Sequence, residues 1–370
     1  MSSTADAVVI GAGIAGLSVG AELARERSVI VLEMEPEYAS HTTARSATSW
    51  IAGYGRPAVK PFTLASRAWF EAGGGGHVER SLLERRGLML VSTDRDAPKL
   101  SEAVANGASR LDENEAAALF PPLRTDLYPG VAHESDSHDI DVMTAVEAFR
   151  AALLRRGGEL QTAAAVRAIK RGERTWQLET AAESVETATI VNAAGAWSDQ
   201  IAELAGVHPL GLRVLRRTAC TFTGPAGVDV MAWPLVMDAG ERFYFKPDGG
   251  VVLASAADET PQPPGDARPA MEDVALALER VREATTLEPR TVRSSWAGLR
   301  TFATDRSLVL GPDPGAPGFA WYVGLGGFGI MSSPAASRSV VSLIDGGSLP
   351  SDVVAAGGEA AAVLPDRLRR

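Results

Sequence analysis

The stretch Ala7-Val8-Val9-Ile10-Gly11-Ala12-Gly13-Ile14-Ala15-Gly16 continues through a helix-like segment to Glu26 and closes on Val29-Ile30-Val31-Leu32-Glu33. An apolar run, a glycine turn, a helical segment and a second apolar run read as strand, turn, helix, strand. Gly11, Gly13 and Gly16 match G-x-G-x-x-G. Gly11 serves the tight turn, Gly13 the close approach of backbone to a pyrophosphate, and Gly16 the contact of helix with strand. The phosphates would rest on the helix N-terminus. Glu33 stands 17 residues beyond Gly16, at the end of the second strand, where a carboxylate accepts hydrogen bonds from a ribose diol and repels a 2′-phosphate. The pattern is that of a dinucleotide site, with NADP disfavoured and FAD and NAD both open.

Working outward, 370 residues suit two domains, in series or interleaved. Hydrophobic residues at 45% and charged residues at 22% are ordinary for a soluble globular protein. Lys and Arg number 36 against 46 Asp and Glu, and the net charge of −10 argues against nucleic acid or an anionic membrane as main partner. One cysteine, Cys220, excludes an internal disulfide or a multi-cysteine metal site and fits a reducing cytosol, so a cytoplasmic location is expected. The chain reaches its first strand without a basic leader. No apolar run approaches the ~20 residues of a membrane span, leaving at most peripheral membrane contact. His133, Asp136, His138 and Asp139 lack a spacing that converges ligands, and no metal is expected.

Residues 41–48 are small and polar and lead to Trp50, Gly53, Tyr54 and Gly55, a loop expected to touch the cofactor. Residues 58–70 read as helix. Gly73 to Gly76 read as a loop tip, the least ordered interior segment by composition. Residues 88–91 are a strand candidate, and a helix near 114–119 ends at Pro121 and Pro122. Asp141 caps a helix with apolar Val142, Ala145, Val146, Phe149 and Leu153, closed by Gly157 and Gly158. Residues 165–169, 176–180 and 184–188 look like a three-stranded meander, and residues 190–198 like a separate strand entering a glycine turn. Strands are expected at 218–223, 242–246 and 251–255, and a helix at 271–285. Residues 319–323 then run into Gly324, Gly326, Gly327 and Gly329, with a helix from about Ser333. No tandem repeat is present.

Three cofactor-type pieces, residues 11–33, 192–198 and 324–330, thus alternate with two blocks of antiparallel character. This order, with VIGAGIAG, VNAAGAW, WAGLR and GGFGI, resembles the D-amino-acid-oxidase-like flavoproteins, and among them the bacterial flavin-dependent D-arginine dehydrogenases, over nearly the whole chain. The resemblance implies an α/β fold. A Rossmann-type FAD-binding domain (1–80, 142–206, 305–370) is interleaved with an α+β substrate-binding domain built on an antiparallel sheet (81–141, 207–304). It implies FAD rather than NAD. Attachment is expected to be non-covalent, since Cys220 lies away from all three pieces. Glu33 would hold the adenosine ribose, and Ala12 and Gly13 amides the pyrophosphate, with Arg45 and Ser46 beside it. Gly11, Ile14, Gly16, Ala194 and Gly195 complete the cradle, while Gly327, Phe328, Gly329 and Ile330 would face the flavin ring and ribityl chain.

Similarity also places Arg217 and Arg300 at a substrate carboxylate, Tyr244 beside them, Tyr54 over the bound substrate, and Gly327 at the reacting centre. Charge-assisted hydrogen bonds of that kind contribute ~1.5–3 kcal/mol each. Arg216 competes with Arg217, because adjacent strand residues face opposite ways. Two positions depart from the arginine-specific pattern. Leu88 stands where a glutamate would meet a substrate guanidinium, and Ser49 stands where a histidine would be expected. With Leu235 and Met237 lining the same pocket, apolar or neutral D-amino acids are the expected substrates. The implied reaction is oxidative deamination by hydride transfer from Cα to flavin N5, giving an imino acid that hydrolyses to a 2-oxo acid and ammonia. Electrons would pass to a quinone or other carrier, or to dioxygen. A glycine- or sarcosine-type oxidase and a non-catalytic flavin-binding regulator are the competing readings.

Overall fold

The computed structural model describes residues 2–369, so Met1 and Arg370, the outer ends of the segments assigned above to the FAD domain, lie outside it. Strand Ser2–Ile10 is the centre of an eight-stranded sheet. It pairs in parallel with Val29–Leu32 on one edge and with Ser184–Asn192 on the other. The apolar runs in these strands are continuous because both sheet faces are covered. Ala7, Val9, Val29 and Val31 pack under helices Ile14–Leu23, Val142–Arg155 and Gly329–Ile344, while Val8, Ile10, Ile30 and Leu32 join Trp176, Leu178 and Ile201 on the other face.

A nine-stranded sheet forms the second layer system. Its longest pairing joins Arg213–Phe222 to Val292–Phe302, antiparallel from Arg213↔Phe302 to Phe222↔Val292. It is not wholly antiparallel, because Leu88–Ser92 lies parallel to Leu235–Asp238. That is where the two separate chain blocks of the sheet meet side by side. Helix Met271–Ala284 covers its core face, against Phe222, Trp233 and Phe245. Every strand of the first sheet falls within 1–80, 142–206 or 305–370, and every strand of the second within 81–141 or 207–304. A small sheet of Ser49–Trp50, Leu83–Arg85 and His138–Ile140 bridges them. No described helix is long and apolar enough to cross a membrane.

Three expectations change. Residues 184–192 form one strand, not a meander strand followed by another. Its first half pairs antiparallel with Trp176–Glu179 and its second half parallel with Phe319–Val323 along the same edge. The four glycines are not a loose tip. Gly73 to Gly76 all have positive φ, between 63° and 88°. A Cβ on Gly73 would lie 1.9 Å from the Val78 carbonyl oxygen, so this left-handed turn is packed and demands glycine. Finally, the last long helix begins at Gly329 rather than near Ser333. Pro334 sits inside it, and the Ser333 hydroxyl donates to the Ile330 carbonyl at 2.9 Å, where Pro334 has no amide to offer.

Asp141 caps Val142–Arg155, its Oδ1 accepting from the Thr144 amide at 3.1 Å. Asp141→Ala is expected to lower unfolding free energy by ~1 kcal/mol, measurable as a lower denaturant midpoint.

Candidate active site

The glycine turn, residues 40–48, the Asn192–Trp197 turn and the Gly324–Ile330 turn surround one continuous cleft of about 310 Å³ between the two sheets. Gly11, Gly13, Ile14 and Glu33 form one end, Ala194 and Gly195 a side, and Arg217, Tyr244, Arg300 and Gly327 the other end. Arg45, Ser46, Gly329 and Ile330 also line it. Discontinuous segments are brought together because the central strands end at the same edge: Ile10 is in register with both Leu32 and Asn192.

Local packing explains the glycines. Gly11 has φ +101°, and a Cβ there would lie 2.7 Å from the Ala193 carbonyl oxygen. A Cβ on Gly16 would lie 1.7 Å from the Gly11 carbonyl, so Gly16 sits behind the turn and does not line the cleft. One amide is used differently from the expectation. The Ala12 N–H donates to Glu33 Oε2 at 2.7 Å and is therefore committed to that carboxylate rather than to a pyrophosphate. Glu33 Oε1 accepts from the Glu35 amide at 3.0 Å, which fixes the carboxylate at the cleft edge. Arg45 is likewise engaged within the protein. Its guanidinium donates to the Ala267 carbonyl at 2.9 Å and to Asp266 Oδ1 at 2.6 Å, tying the 40–48 loop to the second domain. The Ser46 hydroxyl meets that of Thr48.

At the other end, Arg217 and Arg300 come from neighbouring strands, Leu215 being in register with Arg300 and Arg217 with Gly298. Alternation decides the arginine pair: Arg217 lines the cleft, while Arg216 points to the other face and donates to Asp273 Oδ2 at 2.7 Å. Burial, and then the charge of Arg300, hold the Arg217 guanidinium below its ordinary pKa. Burial works against the Arg300 charge too, but facing Tyr244 and Tyr54 outweigh it and leave its pKa raised. Both side chains stay cationic at neutral pH.

Tyr54 does not line the cleft wall. Its hydroxyl and the Arg300 guanidinium converge on Gly327, where a Cβ would lie 3.5 Å from the one and 3.0 Å from the other, and its ring lies 5.3 Å from that of Phe328. Phe328, also outside the wall, precedes the last long helix. Leu88 and Leu235 are buried in one apolar cluster with Tyr244, and Met237 packs against it. These side chains stand behind Tyr244 rather than in the wall. Ser49 is not brought to the cleft either. Its hydroxyl faces Asp139 Oδ1 at 3.3 Å, beside the Lys246 ammonium, which is 2.7 Å from the same oxygen. Among the described residues no group of three or more His, Cys, Asp or Glu side chains is placed to hold a metal.

A family model for FAD dependent oxidoreductases, DAO, matches residues 6–343. The chain belongs to that family.

This FAD-dependent oxidoreductase is 26% identical to FAD-dependent oxidoreductase domain-containing protein 1 of Xenopus laevis, over 93% of this chain and 80% of that one. It is 30% identical to the Bos taurus protein of the same name over 44% of this chain, spanning only 36% of that relative's length. In fold it is similar to glycine oxidase from Geobacillus kaustophilus (TM-score 0.82, 22% identity, 94% of this chain and 99% of the other). It is similar also to L-proline dehydrogenase from P. horikoshii (TM-score 0.85, 19% identity, 100% and 99%).

The cleft fits FAD. Its lining takes in the fixed Glu33 carboxylate, the side-chain-free turn at Gly13 and the arginine pair, and a Cβ on Gly327 would come within 3.0 Å of Arg300 Nη1. The one thiol, Cys220, is buried outside the cleft, and burial pushes its pKa up to about 11, so it is neither placed nor ionised to attach a flavin.

Sequence reasoning missed two groups. His41 and Trp197 both line the cleft. Their rings are 4.8 Å apart, and His41 Nε2 lies 2.9 Å from Glu35 Oε1. A histidine inside the polar run 41–48 was the one available signal. Glu259 lies 3.3 Å from Arg217 Nη2 and also accepts from Arg306 at 3.0 Å. Nothing local marks Glu259, since its partners come from other strands and loops.

Proposed function

We propose that this oxidoreductase carries out oxidative deamination of D-amino acids with apolar or neutral side chains, as a dehydrogenase. The observation that carries the reading is the gathering of Arg217, Arg300 and Tyr244 at one end of the FAD cleft, with the Tyr54 hydroxyl beside Arg300 at Gly327. Arg217 is destabilised by burial and by Arg300, so an incoming α-carboxylate relieves both. FAD, when bound, supplies the acceptor for the hydride leaving Cα. The protein's part is to hold the carboxylate in a fixed fork, to turn Cα toward the cleft, and to keep water out from above with Tyr54. The ammonium proton passes to solvent, and water adds to the released imino acid to give a 2-oxo acid and ammonia. The electrons would leave to a quinone or another carrier.

The apolar cluster of Leu88, Leu235, Met237 and Tyr244 supports the choice of side chain. That cluster backs Tyr244 and offers no carboxylate, so a cationic substrate side chain at this end of the cleft loses hydration with no partner in return, at a cost of several kcal/mol. Steady-state assays with an artificial acceptor are expected to give D-Met, D-Leu and D-Phe a kcat/KM about a hundredfold above that of D-Arg. A win for D-Arg, for L-enantiomers, or for glycine or sarcosine with stoichiometric peroxide would overturn this reading.

A further inference from the structure

We propose that Glu134 is the positioning residue that holds the Tyr54 loop closed over the amino-acid end of the cleft. Glu134 ends strand Gly130–Glu134, in register with Leu88 of the neighbouring strand. The Gly53 backbone, the Ser137 hydroxyl and the Ala52 backbone all face its carboxylate. A Cβ on Gly53 would come within 3.1 Å of Oε2, so the loop backbone lies directly on the carboxylate and Gly53 permits that approach. Oε1 is shut off from solvent and has no hydrogen-bond partner among the described residues.

A carboxylate so placed is costly. Burial pushes its pKa up, and Gly53, the Ser137 hydroxyl and then Ala52 oppose the shift. A hydrophobic residue here would spare the burial cost but leave two consecutive amides without an acceptor. The exchange makes sense if those amides must be fixed. They are the root of a short loop whose next residue is Tyr54, and Tyr54 brings its hydroxyl beside Arg300 over Gly327 and packs on Phe328. The far side of the loop is equally constrained. Gly55 has φ +99°, and a Cβ there would lie 3.0 Å from the Phe328 ring. Glu134 itself does not line the cleft, so it acts through the loop and not on the amino acid. The inference rests on the proposed function in one respect, that an amino acid binds beneath Tyr54.

The test uses the FAD-loaded protein with Glu134→Gln, which keeps the shape and one acceptor, with Glu134→Ala, and with Tyr54→Ala alone and combined with Glu134→Gln. Hydrogen exchange in the peptide spanning residues 51–55 is expected to quicken about tenfold in Glu134→Ala and less in Glu134→Gln, with FAD content unchanged. KM for the best amino acid should rise about fivefold or more while kcat stays within about twofold, and the double variant should match Tyr54→Ala alone. Unchanged exchange in both folded Glu134 variants overturns the proposal. Multiplying KM penalties overturn it too, as does a preference for D-Arg that Glu134→Gln removes, which would make Glu134 a substrate contact. Should no amino acid be turned over, the functional reading fails, and the exchange result alone decides whether Glu134 holds the loop.

Discussion

Replacing Arg300 with methionine is expected to lower kcat/KM for the amino acid about a thousandfold, through the loss of two charge-assisted hydrogen bonds of ~1.5–3 kcal/mol each. Methionine fills much of the same volume and buries no unpaired charge, so FAD content and folding should persist. Removing Arg300 also removes the like charge that depresses Arg217, so Arg217 alone then faces the substrate with Glu259 as its neighbour. The control is one residue away from the other clamp. Arg216→Gln breaks the pair with Asp273 on the opposite sheet face and should lower the melting temperature while leaving KM within about twofold. Equal kinetic damage from both replacements would mean that the cleft responds to sheet stability rather than to its own guanidinium groups.

The second large effect concerns the cofactor. Gly13→Val is expected to give folded, colourless protein. Gly13 lines the cleft at the helix start, and a Cβ there meets only the Thr43 hydroxyl, at 3.2 Å, so the protein can adjust while a bound pyrophosphate cannot. Overpacking a contact that has no room to relax costs ~3 kcal/mol, about two orders of magnitude in FAD affinity. Gly16→Ala should behave differently. Its Cβ would run into the Gly11 carbonyl at 1.7 Å, which separates helix from strand and lowers the yield of soluble protein. Circular dichroism together with the flavin-to-protein absorbance ratio distinguishes the two outcomes.

What could be read from the chain follows from how local each signal is. Gly11, Gly13, Gly16 and Glu33 lie within one strand-turn-helix-strand unit, so spacing alone singles them out. The pair Arg216 and Arg217 shows the limit. Alternation guarantees that one faces the cleft, but only the sheet register with Val292–Phe302 says which. Residues 184–192 were divided because their two halves have different neighbours on one edge, a fact about pairing and not about propensity. The glycines at 73–76 look mobile by composition, yet Val78, Ala148 and Trp69 close on Gly73, Gly74 and Gly75. Ala12 looked free for a phosphate because the carboxylate that takes its amide lies 21 residues away. Glu134 and Glu259 had no signal at all, since each becomes meaningful only when it meets a loop or an arginine far away in sequence.

The most direct test of the account is anaerobic addition of D- and L-amino acids to the purified protein while the flavin absorbance is followed. The expected result is a yellow protein whose flavin bands bleach with D-Met or D-Leu and stay unchanged with the same ligands in Arg300→Met. A protein that binds no FAD, or one whose flavin no amino acid reduces, would contradict it.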